Sequence, residues 1–124
     1  MTHILAVAAG GAAGSVLRYL ASRWVPGGGT TFPWNTLLIN AVGCGLLGLF
    51  LGAADSRLTT ISPELRSMVS IGLLGGFTTF STFGHQTVAL WQDGRTLAAT
   101  ANVALSVCSG LLAAWAGWRL ASSL

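Results

Sequence analysis

The chain has 124 residues, of which 52% are hydrophobic and only 7% charged, and its mean hydropathy is +0.70. A soluble domain carries about 25% charged residues, so this composition excludes a water-covered globule and assigns an integral membrane protein. The formal net charge of +3 comes from Arg18, Arg23, Arg57, Arg66, Arg95 and Arg119 against Asp55, Glu64 and Asp93; these arginines sit near the ends of apolar runs, where they snorkel to headgroups, which argues against a nucleic-acid surface.

The length fits one domain, residues 1–124, of about four spans of ~20 residues each. So small a chain buries little core alone, which points to an oligomer. The two cysteines, Cys44 and Cys108, fall inside apolar spans and read as small buried hydrophobes. With two histidines they give little support to a disulfide framework or a metal cluster.

Span one is predicted from about Ile4 to Trp24. It lacks the positive n-region of a signal peptide and is read as a retained first helix. Ala6, Gly10 and Gly14 form a row of small residues that lets another helix approach closely. Arg18 lies about one turn inside the end of the span. It either snorkels to the interface or places an anion-attracting charge at a pore mouth.

Pro26 to Thr31 reads as a flexible glycine loop. Span two follows from about Trp34 to Ala54, with Trp34 suited to the interfacial aromatic belt. Asn40 is strongly polar at membrane depth, where it either glues helices together or lines a pore. The Asp55 to Glu64 loop leads into Ser62-Pro63-Glu64, a helix-start signature.

Span three, from about Leu65 to Trp91, is longer than a membrane crossing needs. It contains Gly75-Gly76-Phe77-Thr78-Thr79-Phe80-Ser81-Thr82-Phe83, poor material for a lipid-facing helix, and a break is predicted at Gly75 to Thr79. Three-residue spacing puts Phe77, Phe80 and Phe83 roughly on one side. Span four runs from about Thr96 to Leu120, with Asn102, Ser106 and Ser109 on its polar side.

Four spans leave both termini on one side of the membrane. Arg57, Arg66 and Arg119 then face Arg18, Arg23 and Arg95 across the bilayer, so the charge bias that sets orientation is absent. Such a chain inserts both ways, and two opposed copies would form an antiparallel homodimer with the logic of an inverted repeat.

A broken membrane helix frees carbonyls and amides that need new partners. Carbonyls freed near Gly75 and Thr78 suit a hard cation such as sodium. The phenylalanines point elsewhere. Ring edges are positive and favour a small anion, and Phe80 and Phe83 sit one turn apart. Asn40, Ser81, Thr82 and Ser106 are available hydrogen-bond donors for such an ion. On spacing alone, simple aromatic packing explains the rings as well.

Three patches carry a resemblance to a known family. They are Gly10 to Tyr19, a glycine-rich helix ending in Arg-Tyr; Asn35 to Gly43, with Thr36, Leu37, Asn40 and Gly43 at family spacing; and Gly72 to Phe83, with its Gly-Gly-x-Thr-Thr-Phe-Ser-Thr-Phe run. In these, and in length and hydropathy, the whole chain resembles the fluoride channel family known as CrcB or Fluc.

The resemblance implies an all-α membrane protein with four transmembrane helices, the third broken, in an antiparallel dual-topology homodimer. It implies two fluoride pores per dimer, passive export of cytoplasmic fluoride, and a bacterial-type cell membrane location. It also implies a structural, untransported sodium ion (Na+) at the dimer centre, held by the backbone carbonyls of Gly75 and Thr78. Phe80 and Phe83 would face fluoride, Asn40 and Ser106 would lie on the pore path, and Arg18 would stand near a vestibule. Ser15, Gly84, Gln86 and Asn102 depart from the residues usual in the family, and bear on conductance and vestibule charge rather than on the ion sites.

Two rival classes fit less well. A proton-coupled exporter needs a titratable carboxylate inside a span, whereas Asp55, Glu64 and Asp93 all lie in or beside loops. A non-conducting scaffold would have no use for Asn40, the hydroxyl cluster and a glycine break at one depth. No triad, metal cluster or phosphate loop is visible, so no enzyme is expected.

Overall fold

Alanine, leucine and glycine runs without strand-forming alternation leave the helix as the one backbone state that satisfies its own polar groups in an apolar chain. The computed structural model describes residues 1–25, 32–55 and 61–123, and all regular structure among them is helical. The expected glycine loop at 26–31, Arg57 and most of the following loop lie outside the described residues.

Helix α1 covers Thr2–Trp24 and stops at Val25, whose extended backbone (φ −107°, ψ 118°) is the one a following proline imposes. Helix α2 covers Trp34–Asp55. Helix α3, Pro63–Ser67, starts as its sequence predicts: the Ser62 hydroxyl accepts from the Leu65 amide at 3.2 Å, and Pro63 opens the first turn. A π-helical stretch, Met68–Leu74, and a single turn, α4 (Gly75–Phe77), continue it. Helix α5 is Phe80–Gln92 and α6 is Thr96–Ser122. Three of these, α1, α2 and α6, are each long and apolar enough to cross a membrane.

The turn between α5 and α6 follows from one glycine. Gly94 has φ 73°, a left-handed conformation that costs a residue without Cβ nothing. Its amide bonds to the Trp91 carbonyl at 3.0 Å and the Arg95 amide to the Leu90 carbonyl at 2.9 Å, which together make a Schellman stop.

Small residues set the packing. Helices α2 and α6 run parallel and touch backbone to backbone. A Cβ at Gly48 would strike the Ala114 carbonyl, and one at Gly52 would lie 2.8 Å from the Ala121 methyl. The predicted Gly10 and Gly14 row of α1 serves a second parallel pair, against the stretch from Met68 to Phe77. There a Cβ at Gly72 would come within 2.7 Å of the Val7 carbonyl, and one at Gly76 within 2.8 Å of the Gly11 carbonyl. Apolar surface around a helix gives no drive to associate in lipid, so close backbone approach supplies the contact.

At one end of the bundle, His3 meets Glu64 at 3.2 Å and Arg66 meets Asp55 at 2.8 Å. These contacts bring together the start of α1, the end of α2 and the start of α3. The side chains of Ile4, Leu97, Leu111 and Trp115 are exposed, as are many other large apolar residues. Cys108, expected to be buried, is exposed as well, because it lies on the outer face of α6; Cys44 is half-buried.

Overfilling a packed contact costs about 1–3 kcal/mol. Gly48→Leu is therefore expected to lower the thermal unfolding midpoint of the purified protein markedly. Gly84→Ala, which meets nothing within 4 Å, is expected to leave it unchanged or raise it.

Candidate functional site at the helix break

Two consecutive extended residues interrupt the helical path. Thr78 (φ −82°, ψ 159°) ends α4 and Thr79 (φ −150°, ψ 108°) precedes α5. The break is thus shorter than the predicted stretch from Gly75, and Gly75 to Phe77 remain helical. Both threonines help close the cut ends. The Thr78 hydroxyl donates to the Leu74 carbonyl at 3.1 Å, and the Thr79 hydroxyl oxygen accepts from the Thr82 amide at 3.2 Å.

Asn40 of α2 satisfies the middle of the break. Its Nδ2 donates to the Thr79 carbonyl at 3.1 Å, and its Oδ1 accepts from the Thr79 amide at 2.7 Å. A side-chain amide here takes the place of a neighbouring strand. Without it two backbone groups would be left unpaired in an apolar setting. One Nδ2 hydrogen remains uncommitted by these two bonds. Gly43, one turn further along α2, is needed at the same place: a Cβ there would strike the Thr78 methyl and approach the Phe77 ring to 3.2 Å.

The break also resets the helical phase. Phe77, expected beside Phe80 and Phe83, lies instead against Gly43 on the other side of the extended pair. Phe80 and Phe83 do stay together, with ring centroids 5.4 Å apart and planes tilted by 49°. Phe83 is buried, whereas Phe80 is 83% exposed.

Two hollows flank the break. One, of about 390 Å³, is lined by Asn40, Cys44, Thr78, Thr79, Phe80, Phe83, Ser106 and apolar residues of α6. The other, of about 550 Å³, is lined by Ser15, Arg18, Tyr19, Asn35, Thr36, Thr79, Ser81, Thr82 and Gln86 among others. Thr79 belongs to both, so the extended residues form the partition between an aromatic pocket and a polar vestibule.

Of the sequence-predicted residues, Asn40, Thr78, Phe80, Phe83 and Ser106 meet in the first hollow, and Arg18, Ser81 and Thr82 in the second. Gly75 lines neither. It is exposed, and a Cβ there would meet only the Ser70 carbonyl at 3.7 Å. Arg18 turns inward, and its guanidinium donates to the Thr78 carbonyl at 3.4 Å. A cation is favourable at that position, the C-terminal end of α4, and the N-terminal end of α5 presents the opposite partial charge. A hydroxyl cluster crosses the partition, with Thr79 Oγ1 donating to Thr82 Oγ1 at 2.9 Å and 3.4 Å from Ser81 Oγ.

Three further polar residues join the site; Gln86 and Asn102 were noted from sequence only as departures from the family pattern, and Thr87 was not singled out. Gln86 lines the vestibule, and its Oε1 is buried with no hydrogen-bond partner among the described residues. Asn102 and Thr87 bond to one another at 2.9 Å between α5 and α6. Thr87 lies four residues after Phe83, and that helical spacing was the available signal. No group of three or more His, Cys, Asp or Glu side chains among the described residues is placed to hold a metal. An ion at this site would rely on backbone, amide and hydroxyl groups.

Comparison with known proteins places the chain in a family. Residues 5–118 match the family described as CrcB-like protein, Camphor Resistance (CrcB). A fluoride-specific ion channel FluC of Geobacter sulfurreducens is 48% identical over 125 residues, covering 100% of both chains. One from Rhizobium meliloti is 45% identical, covering 97% of this chain and 96% of its own, and one from Shewanella loihica is 39% identical, covering 99% and 98%. These relatives are named as channels and not as enzymes. With a match that runs through α1, the break and α6 alike, the chain belongs to the CrcB family.

Proposed function

We propose that this protein is a fluoride channel that lets the ion leave the cytoplasm passively, down its electrochemical gradient, across the cell membrane. The observation that carries the reading is the partition at Thr79, which Asn40 holds between an aromatic pocket and a polar vestibule. The relatives' name, fluoride-specific ion channel, supports the identity of the ion.

Fluoride is small and strongly hydrated, so a pore must replace its water with donors fixed in place. The vestibule supplies the Arg18 charge and the Ser81 and Thr82 hydroxyls. The inner pocket supplies the positive edges of Phe80 and Phe83, the spare Asn40 hydrogen and the Ser106 hydroxyl. None of these is a full charge except Arg18, and partial charges bind loosely enough for the ion to leave.

The stretch from Pro63 to Gln92 is read as a further membrane crossing. Helix α5, at 13 residues, extends only ~20 Å at 1.5 Å per residue, short of the ~30 Å of hydrocarbon. The crossing therefore needs the segments on both sides of Thr78 and Thr79, which sets the break at membrane depth.

Two such chains in opposite orientations form the proposed unit, with two pores. The balanced arginines and the many exposed apolar side chains support this. Gly75, exposed and uncrowded, is free to meet a second copy. Its carbonyl and the second lone pair of the Thr78 carbonyl, whose first accepts from Arg18 at 3.4 Å, suit a structural sodium ion, which prefers oxygen ligands. Bound there, the ion would supply positive charge to join the two halves.

Liposomes containing the purified protein are expected to release fluoride and retain chloride without a proton gradient; retention of both ions, or release only in exchange for protons, sinks the channel reading. Phe80→Ile and Phe83→Ile are each expected to slow fluoride release at least about tenfold, equivalent to ~1.4 kcal/mol, while the oligomer elutes normally. Unchanged release in both variants removes the ring-edge role. Sodium at ~100-fold above its dissociation constant should stabilise the purified protein by about 2.7 kcal/mol, seen as a saturable rise in unfolding temperature over a bulky organic cation. No rise would remove the sodium site.

A further inference from the structure

Asn102 is the one large side chain among the described residues that is almost wholly enclosed, at 1% exposure. It sits in α6, a helix whose other side chains are mostly open. Leucine would fill a similar space without carrying an amide into an apolar region, where an unpaired polar group is costly. The amide is paired at both ends. Its Nδ2 donates to Thr87 Oγ1 at 2.9 Å, and its Oδ1 accepts from Ser106 Oγ at 3.5 Å. Thr87 in turn donates to the Phe83 carbonyl at 2.8 Å.

The direction of this chain is determined by counting hydrogens. A hydroxyl has one. Thr87 commits its hydrogen to the Phe83 carbonyl, so toward Asn102 it has only lone pairs. Asn102 must therefore face it with the NH₂ group and turn Oδ1 toward Ser106. The hydrogens run one way, from Ser106 through Asn102 and Thr87 to Phe83. Both ends of the chain, Ser106 and Phe83, line the aromatic pocket, while Asn102 and Thr87 stand behind it. The long bond at the Ser106 end leaves that hydroxyl free to turn to an ion at small cost, whereas the two short bonds hold the α5 wall.

The geometry points to Asn102 as a positioning residue of the anion path, one that sets the phenylalanine wall of α5 against the hydroxyl wall of α6 through Thr87. This rests on the channel reading above. Between the Asn40 clamp at the start of α5 and the Gly94 turn beyond its end, this polar link joins α5 and α6 at the level of Phe83.

Fluoride release from liposomes, normalised to assembled protein by size exclusion, tests it with Thr87→Val, Thr87→Ser, Asn102→Leu and the Thr87→Val/Asn102→Leu pair. Losing one buried hydrogen-bonded link is expected to slow release about tenfold in Thr87→Val and in Asn102→Leu. Thr87→Ser, which keeps the hydroxyl, is expected to match the unaltered protein, and the double variant to be no slower than the slower single. Full release by Thr87→Val, equal loss in Thr87→Ser, or losses that multiply in the double variant would overturn the assignment. Should Asn102→Leu fail to assemble, the contrast between valine and serine at position 87 decides alone. Absence of release from the unaltered protein defeats the channel reading itself, and is distinguishable from any of these outcomes.

Discussion

A peptide chain that leaves the helical ladder in apolar surroundings must find partners for every amide and carbonyl it frees. In this protein the constraint is met at Thr79 by a single side chain, Asn40, which donates to the carbonyl and accepts from the amide. Thr78 and Thr79 cap the two cut ends with their own hydroxyls. The extended pair is thereby held open at low cost, and the rest of the site takes its position from it. The pocket, the vestibule, the separation of Phe77 from Phe80 and the aim of Arg18 all depend on where the helix stops and restarts.

Holding that break in place requires helices close enough to touch it. Glycine supplies the closeness. Gly43 lets α2 approach Thr78 and Phe77, and the Gly10, Gly14, Gly72 and Gly76 contacts bring α1 against the segment leading into the break. The Gly48 and Gly52 contacts fasten α2 to α6, so the helix that carries Asn40 and the one that carries Ser106 form one parallel pair. Arg18 is delivered by α1, and thus the same backbone contacts that hold the fold also decide which polar groups surround the gap.

The electrostatic pattern follows from this arrangement. A cationic side chain rests on the carbonyl end of α4, and the amide end of α5 begins two residues later. Hydroxyls, amides and ring edges make up the remaining polarity, and no carboxylate among the described residues lines the two hollows. The chain belongs to the CrcB family, and the described residues around the break offer hydrogen-bond donors.

Composition and pattern together were enough to establish an apolar, helical membrane protein, because a chain with 7% charge cannot cover a water-facing surface and its apolar runs lack the two-residue alternation of a membrane barrel. Sequence spacing also marked the Ser62 cap, the Gly10 and Gly14 contact row and the polar residues Asn40, Arg18, Ser81, Thr82 and Ser106, since each contrasts with its apolar neighbours. The motif carried by Gly72 to Phe83 identified the family. What sequence reasoning did not reach was the partnering. Whether Asn40 faces a pore or a backbone, whether Arg18 turns outward or in, and which phenylalanines share a wall depend on the phase of a helix after a break, and two extended residues shift that phase without leaving a periodic trace. The same holds for Asn102 and Thr87, whose importance comes from hydrogen bonds between helices that only close packing brings into register.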